Sequence, residues 1–174
     1  MENSTKKPIR IGLLGFGSMG KTHAYAVNTL PFFYQDLPFS AEIVGVCTTN
    51  MEKSQRVCKE YGFSIATTNE DELIYHPDVD VIDICTPNLY HFETIKKAIA
   101  AGKHIYCEKP LCISVAEARE VTALANEAGK INNIVFNNRY IPAIMRAKEL
   151  VDEGRLGRIL SFRIDYQHSS ATVV

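Results

Sequence analysis

Three glycines near the amino terminus have the spacing of a turn that binds a diphosphate. Gly15, Gly17 and Gly20 fit the pattern G-x-G-x-x-G within the segment GFGSMG. Between a strand and a helix, the first glycine permits the turn, the second lets backbone approach a pyrophosphate, and the third lets the helix pack closely. The N–H groups of the first helical turn then face the phosphates. Because the same glycines could serve a purely structural turn, the flanking elements decide between the two interpretations.

The flanking sequence supplies a strand before the glycines and a helix after them. Residues 9–14 are mostly apolar and form a short strand, and helix-compatible sequence runs from Ser18 to about Leu30, where Pro31 should stop the helix. This context favours a bound dinucleotide over a structural turn. The turn residues predicted to contact the dinucleotide are Gly15, Phe16, Gly17, Ser18, Met19 and Gly20.

The same alternation of strand and helix continues along the chain. Capping boxes at Thr49/Glu52 and Ser114/Glu117 predict the starts of two further helices. Strands alternating with helices imply a parallel sheet whose ligands bind outside the carboxyl ends of the strands. The predicted fold class is therefore α/β, a doubly wound parallel sheet. Its further strands are expected near residues 41–47, 63–66, 78–85, 104–107 and 131–136.

The pattern changes after residue 138. A helix is predicted from about Ile141 to Glu153, and the apolar alternation from Leu160 to Tyr166 predicts a half-exposed strand, usually antiparallel. We therefore assign residues 1–138 to a dinucleotide-binding domain. Residues 139–174 would be the truncated start of a second, antiparallel α+β domain.

The end of the second strand bears on which dinucleotide binds. An NAD site usually carries an acid there, which binds the ribose 2′-hydroxyl. This chain has Thr48, Thr49 and Asn50 instead, whose side chains could donate hydrogen bonds to an additional phosphate, with Lys53 supplying charge. We favour NADP over NAD as the cofactor. The alternative, that Lys53 is only a solvated helix residue, stays open.

Composition excludes several other classes of protein. The net charge of −1 gives no reason to expect nucleic acid as a partner, and no uninterrupted run of 18 apolar residues is present to span a membrane. No leader-peptide cleavage site is recognisable, so a cytoplasmic protein is expected. The five cysteines lack metal-ligand spacing, which predicts reduced thiols and no metal site.

Several motifs in order resemble one known family. They are CTPN at 85–88 with His91, EKP at 108–110, NRY at 138–140 followed by Pro142, and EGRLGRI at 153–159. Together with the glycine turn, they resemble the amino-terminal part of a Gfo/Idh/MocA oxidoreductase, the glucose–fructose oxidoreductase and inositol dehydrogenase group. The similarity extends over nearly all 174 residues.

The resemblance implies a Rossmann domain and hydride transfer between NAD(P) and a carbon of a sugar, inositol or similar polyol. It places Lys109 beside the nicotinamide and the reacting hydroxyl, as the catalytic residue, with Glu108 adjoining the cofactor. It also implies that Thr86, Pro87 and Asn88 line the cofactor, with His91 near the nicotinamide. A homo-oligomer formed through the second domain is a further implication.

Alternatives remain open at this point. Lys109 could transfer a proton or act as a cationic clamp, and His91 could contact the cofactor or serve in packing. For Glu108 a structural role is favoured over catalysis, and His23, His76 and His104 are interpreted as surface or packing residues. The family also includes an NAD-dependent glycosidase, and a non-catalytic nucleotide-binding module is a third possibility. Since the resemblance implies that the second half of the acid–base pair comes from the second domain, this chain should bind cofactor without turnover.

Overall fold

The structure, a computed structural model, describes residues 8–34 and 36–167 of the chain. Its strands are β1 (Pro8–Leu14), β2 (Ser40–Cys47), β3 (Ile65–Thr67), β4 (Val81–Ile84), β5 (His104–Glu108) and β6 (Asn132–Val135). They form one sheet in the order β3-β2-β1-β4-β5-β6, and every neighbouring pair is parallel. The parallel, doubly wound sheet predicted from the alternation of elements is confirmed.

Helices connect the strands and flank the sheet. Over the described residues they are α1 (Ser18–Phe33), α2 (Met51–Tyr61), α3 (Glu70–Ile74), α4 (His91–Ala100), α5 (Val115–Glu127) and α6 (Pro142–Asp152), with 3-10 turns at Asn88–Tyr90 and Asn137–Tyr140. Strand order runs outward from β1 to β3 and resumes on the other side of β1 with β4. The reversal leaves a crevice at the carboxyl ends of β1 and β4, where ligands of such sheets bind.

Apolar side chains are buried on both faces of the sheet. One cluster contains Ile11, Leu13, Ala24, Ile43, Val57 and Phe63. The other contains Leu14, Ile82, Ile84, Ile95, Ile105 and Val121. Burial on both faces explains why the strands are nearly continuous apolar runs rather than alternating ones.

Helix α1 is longer than the sequence predicts. Pro31 lies inside it, and the helix ends at Phe33. Proline lacks the N–H that would reach the carbonyl four residues earlier, but the next turn is still closed by the Tyr34 N–H, which donates to the Leu30 carbonyl at 3.0 Å. The prediction that Pro31 stops the helix was wrong, because a proline in the final turn removes only one hydrogen bond.

The two predicted capping boxes have different outcomes. At α2 the cap is Asn50, whose side chain accepts from the Lys53 N–H at 2.9 Å, so the assignment of the cap to Thr49 was wrong by one residue. At α5 the cap is Ser114 as predicted, and its hydroxyl accepts from the Glu117 N–H at 3.2 Å. The Glu117 carboxylate reaches back to the N–H of Ile113, one residue before the cap.

The chain divides into two compact units, the first through Val135 and the second from Phe136. In the second unit α6 agrees with the predicted helix. The strand predicted from Leu160 to Tyr166 is not formed, since the described residues after α6 contain no strand and Leu160 is 83% exposed. An alternating segment becomes a strand only beside a partner strand and an apolar surface. The assignment of these residues to a second domain stays a prediction.

No helix within the described ranges is both long enough and apolar enough to cross a bilayer.

Candidate functional site

The turn after β1 requires glycine at two positions for reasons internal to the protein. Gly15 has a φ of 90°, and a Cβ there would lie 2.7 Å from the carbonyl oxygen of Cys85. A Cβ on Gly20 would lie 2.2 Å from the Gly15 carbonyl oxygen. Both obstacles are backbone atoms, which cannot rotate away as a side chain can. Gly20 therefore allows α1 to pack against the end of β1, and Gly15 allows the turn to lie close to the backbone that follows β4.

Gly17 faces open space instead. Apart from Gly17 itself and its two chain neighbours, no residue of the described chain has an atom within 4 Å of a Cβ placed there. Gly17 is the N-cap of α1, and that cap makes no side-chain hydrogen bond within the described structure. The first N–H groups of α1 therefore remain available as donors at the positive end of the helix dipole. Open volume beside these donors fits the diphosphate of a dinucleotide.

The remaining predicted turn residues differ in their exposure. The Phe16 side chain is buried, and its ring centroid lies 5.4 Å from that of Tyr61 and 6.5 Å from that of Phe63. Its ring belongs to the core, so only its backbone can face a ligand at the turn. Ser18 and Met19 are exposed.

A second feature of the crevice also fits a ligand. Leu14 of β1 pairs in register with Ile84 of β4, which pairs with Cys107 of β5, so these three strands end at one edge. Thr86 follows β4 at this edge. Its hydroxyl is the one buried side-chain polar atom in the described structure that lacks a hydrogen-bond partner. Buried polar groups are normally paired, so this hydroxyl is expected to find its partner in a bound molecule.

His91 contacts both loops that border the crevice, the one after β4 and the one after β5. The imidazole is buried, with Nδ1 2.9 Å from the Pro110 carbonyl oxygen and Nε2 2.9 Å from the Thr86 carbonyl oxygen. It stands directly after the 3-10 turn at Asn88–Tyr90, which Pro87 precedes. Because both ring nitrogens are used within the protein, the geometry supports the packing role for His91 rather than the predicted cofactor contact.

Glu108 and Lys109 lie at the carboxyl end of β5. The Glu108 carboxylate is buried, and its Oε2 accepts from the backbone N–H of Lys109 at 3.0 Å. The Lys109 side chain is exposed, and its ammonium has no hydrogen-bond or salt-bridge partner among the described residues. Glu108 therefore holds Lys109 by its backbone. This agrees with the structural role favoured for Glu108 and leaves the ammonium accessible.

A buried polar cluster surrounds Glu108, and no local pattern of residues indicates it. His23, on α1, has Nδ1 2.9 Å from Oδ1 of Asp83, and its Nε2 is 3.2 Å from Oε1 of Glu108. The Tyr106 ring lies 5.3 Å from the imidazole, centroid to centroid. All three hydrogen-bonded side chains are buried. The expectation that His23 is a surface or packing residue missed these polar contacts, since its partners are 60 and 85 residues away in sequence.

Cys85 belongs to the same cluster. Its Sγ lies 3.2 Å from Nδ1 of His23, and the ligand-type atoms of His23, Asp83 and Cys85 all lie within 4.8 Å of one another. The prediction of no metal site rested on local spacing and did not foresee this group. The three atoms already hydrogen-bond to one another. Burial, together with the nearby Asp83 carboxylate, raises the pKa of the Cys85 thiol, so it stays protonated at neutral pH.

The residues after β2 differ in how far they are available to a ligand. The Thr48 hydroxyl is buried and lies 2.9 Å from both the Asn50 carbonyl oxygen and the Ser54 hydroxyl. Its hydrogen-bonding capacity serves the turn. Thr49 and Asn50 are exposed, although the Asn50 side-chain oxygen caps α2. Thr48 is therefore the least available of the three predicted 2′-phosphate contacts.

A cleft with excess positive charge lies beside the glycine turn. Its volume is about 580 Å³. The charged side chains that line it are Lys21 of α1 and Lys53, Arg56 and Glu60 of α2. Gly17 and Ser18 also line this cleft. Three cationic side chains and one acidic side chain therefore surround the space next to the N-terminus of α1. Lys53 was predicted here from the sequence, whereas Lys21 and Arg56 were not.

The sheet, the glycine turn and the open start of α1 define a dinucleotide-binding Rossmann domain. The model of the Gfo/Idh/MocA oxidoreductase family, described as having an NAD-binding Rossmann fold, matches residues 9–136. The chain belongs to this family.

Relatives include sugar and cyclitol dehydrogenases. The chain is 36% identical to levoglucosan dehydrogenase from Pseudarthrobacter phenanthrenivorans, covering 91% of the chain and 40% of the relative. It is 30% identical to inositol 2-dehydrogenase from Rhizobium meliloti, covering 95% and 47%. A solved levoglucosan dehydrogenase complex with NADH and levoglucosan aligns with a TM-score of 0.84 at 34% identity, covering 88% and 42%. The chain thus spans less than half the length of these relatives.

Proposed function

We propose that the protein carrying this chain transfers a hydride between a nicotinamide dinucleotide and a hydroxyl-bearing carbon of a sugar, inositol or related polyol. The observation that carries this proposal is the open N-terminus of α1 at Gly17, on the same sheet edge from which the exposed Lys109 extends. The names of the relatives, levoglucosan dehydrogenase and inositol 2-dehydrogenase, support the substrate class. Because the chain covers less than half of each relative, turnover is proposed for the whole protein and cofactor binding for this chain.

Each group at the edge has a task in this proposal. Oxidising an alcohol removes a hydride and a hydroxyl proton. The bound nicotinamide supplies the hydride acceptor. The N–H groups of α1 bind the diphosphate, and the orphaned Thr86 hydroxyl gains a partner. Lys109 accepts or shares the hydroxyl proton, or binds the reacting oxygen, because it is an accessible amine at the edge.

We further propose that NADP is the preferred cofactor. The turn after β2 carries Thr48, Thr49 and Asn50 where an NAD site usually has an acid. The neighbouring cleft adds the positive charges of Lys53 and Arg56, which would attract a 2′-phosphate. The NADH in the related structure belongs to that protein and to its own residues at this position.

Calorimetric titration of this chain with NADPH and NADH tests the proposal. NADPH is expected to bind more tightly. Lys53→Met should weaken NADPH about tenfold and leave NADH nearly unchanged, since a charge-assisted hydrogen bond is worth roughly 1.5–3 kcal/mol. Lys59→Met is the matched control, because Lys59 lies on the same helix but does not line the cleft. It should change neither affinity.

The two parts of the proposal fail in different ways. Binding of NADH as tight as that of NADPH, with no effect of Lys53→Met, would overturn the NADP preference and leave the dinucleotide site standing. Absence of binding by both nucleotides to the folded chain would overturn the proposed function.

A further inference from the structure

The position of Lys109 poses a structural problem that the proposed function does not solve. Its ammonium has no partner within the described residues, so no contact at the end of the side chain sets its direction. What is fixed is its backbone, because Oε2 of Glu108 accepts from the Lys109 N–H at 3.0 Å. The direction in which Lys109 leaves β5 therefore depends on how firmly the Glu108 carboxylate is held.

His23 is the group that holds that carboxylate. Its Nε2 lies 3.2 Å from Oε1 of Glu108, the oxygen that is not used by Lys109. On the other side of the ring, Nδ1 lies 2.9 and 3.0 Å from the two oxygens of Asp83. An unbroken path of contacts thus leads from β4, through the imidazole and Glu108, to the Lys109 amide.

A positive charge on the His23 ring strengthens its hydrogen bonds to both carboxylates. Only the protonated imidazole can donate from both nitrogens, and each nitrogen faces a carboxylate. Burial alone would lower the pKa of His23, but the hydrogen bonds and charges of Asp83, and then of Glu108, raise it above its ordinary value. The other titratable groups facing the ring are Cys85, which follows β4, and Tyr106 of β5.

We infer that His23 is a positioning residue for Lys109, acting through Glu108. The inference rests on the proposed role of Lys109 for its functional meaning. The coupling itself is a property of the folded chain and can be measured without turnover. If His23 served only to neutralise buried carboxylates, its loss would lower stability without altering the surroundings of the Lys109 amine.

The test is competitive acylation of the lysines with trace acetic anhydride, with mass spectrometry reading the reactivity of Lys109 relative to the exposed Lys59. In both His23→Gln and Glu108→Gln, the relative reactivity should change by about threefold or more, within the range of coupling between contacting residues. The double variant should show no more than the larger single effect, because the two residues act in series. His104→Gln is the control. Among the described residues, the one side-chain hydrogen bond of His104 is the one that it accepts from the backbone N–H of Ile131, so this substitution should leave the reactivity of Lys109 unchanged.

Thermal unfolding of the same variants separates positioning from stability alone. A lowered Tm with unchanged Lys109 reactivity, or two additive effects in the double variant, would overturn the inference. If His23→Gln does not fold, the reactivity of Lys109 in Glu108→Gln tests the inference, because this substitution keeps the size of the side chain and removes the charge that faces His23. Titration with NADPH identifies a failure of the proposed function separately, since acylation needs no nucleotide.

Discussion

At the scale of single residues, each of the three glycines of the turn is present for a different physical reason. Gly15 and Gly20 are required by backbone atoms 2.7 and 2.2 Å from where a Cβ would stand. Gly17 meets no such obstacle in the described chain, so a ligand is the reason proposed for it. Lys109 is the corresponding case for a side chain, since its accessible amine has no hydrogen-bond or salt-bridge partner within residues 8–34 and 36–167.

The proposed role of Lys109 predicts the effect of removing its amine. In the full-length protein, Lys109→Ala should lower kcat by about a hundredfold or more, the usual contribution of a positioned acid or base. The Kd of the dinucleotide should stay within a few-fold, since in the proposed site the diphosphate binds the backbone N–H groups at the start of α1 and not the Lys109 amine. Steady-state kinetics with a panel of polyols and a separate nucleotide titration measure the two effects. Unchanged turnover would remove Lys109 from the reaction.

At the scale of elements, the close packing of α1 on β1 depends on Gly20. Gly20→Ala should lower the free energy of unfolding by about 1–3 kcal/mol or more, as overpacking does, because the Gly15 backbone cannot yield. Gly17→Ala is the matched comparison. It should keep the fold, at a cost of about 1 kcal/mol for a poorer N-cap, while weakening dinucleotide binding.

Urea unfolding and nucleotide titration of the two glycine variants distinguish packing from binding. A larger loss of stability in Gly17→Ala than in Gly20→Ala would contradict the different surroundings of the two glycines. Undiminished nucleotide affinity in Gly17→Ala would argue against a diphosphate at the start of α1.

Local sequence predicted most elements because their determinants are local. Ser114 caps α5 through a neighbouring N–H group, which a spacing of three residues reveals. The wrong predictions, of the N-cap of α2 and of the end of α1, arose where local effects compete. Thr49 and Asn50 are both good caps, and the Thr48 hydroxyl and the Ser54 hydroxyl shape the turn that selects Asn50. Pro31 is a helix breaker by propensity, yet the last turn of α1 continues past it.

At the scale of the whole molecule, His23 connects α1 to β4 and β5 through one buried ring. A buried cation between two carboxylates stabilises a fold only while it carries its charge, since a neutral ring can donate to only one of the two carboxylates. The stability of the molecule should therefore depend on pH in a way that its surface charges do not explain.

The direction of that dependence follows from the raised pKa of His23. A group whose pKa is higher in the folded state stabilises the protein fully below its unfolded pKa, about 6.5, and loses that contribution as pH rises through the folded value. Tm should thus fall from about pH 6.5 upward in the native chain. His23→Gln should be less stable at pH 6 and lack this decline, whereas His104→Gln should retain it. Calorimetric scans across pH 5.5–9 in roughly half-unit steps measure all three curves.

The sequence by itself determined the parallel sheet, the glycine turn and the edge at which Thr86, Glu108 and Lys109 stand. Strands that alternate with helices form a parallel sheet, and in a parallel sheet the carboxyl ends of the strands lie at the same edge. Only the tertiary structure decided which side chains meet there. The contact of His23 with Glu108 and that of His91 with the Pro110 carbonyl depend on the strand register and on where each helix packs against the sheet. Such contacts join residues far apart in sequence, and no local pattern of residue types encodes them.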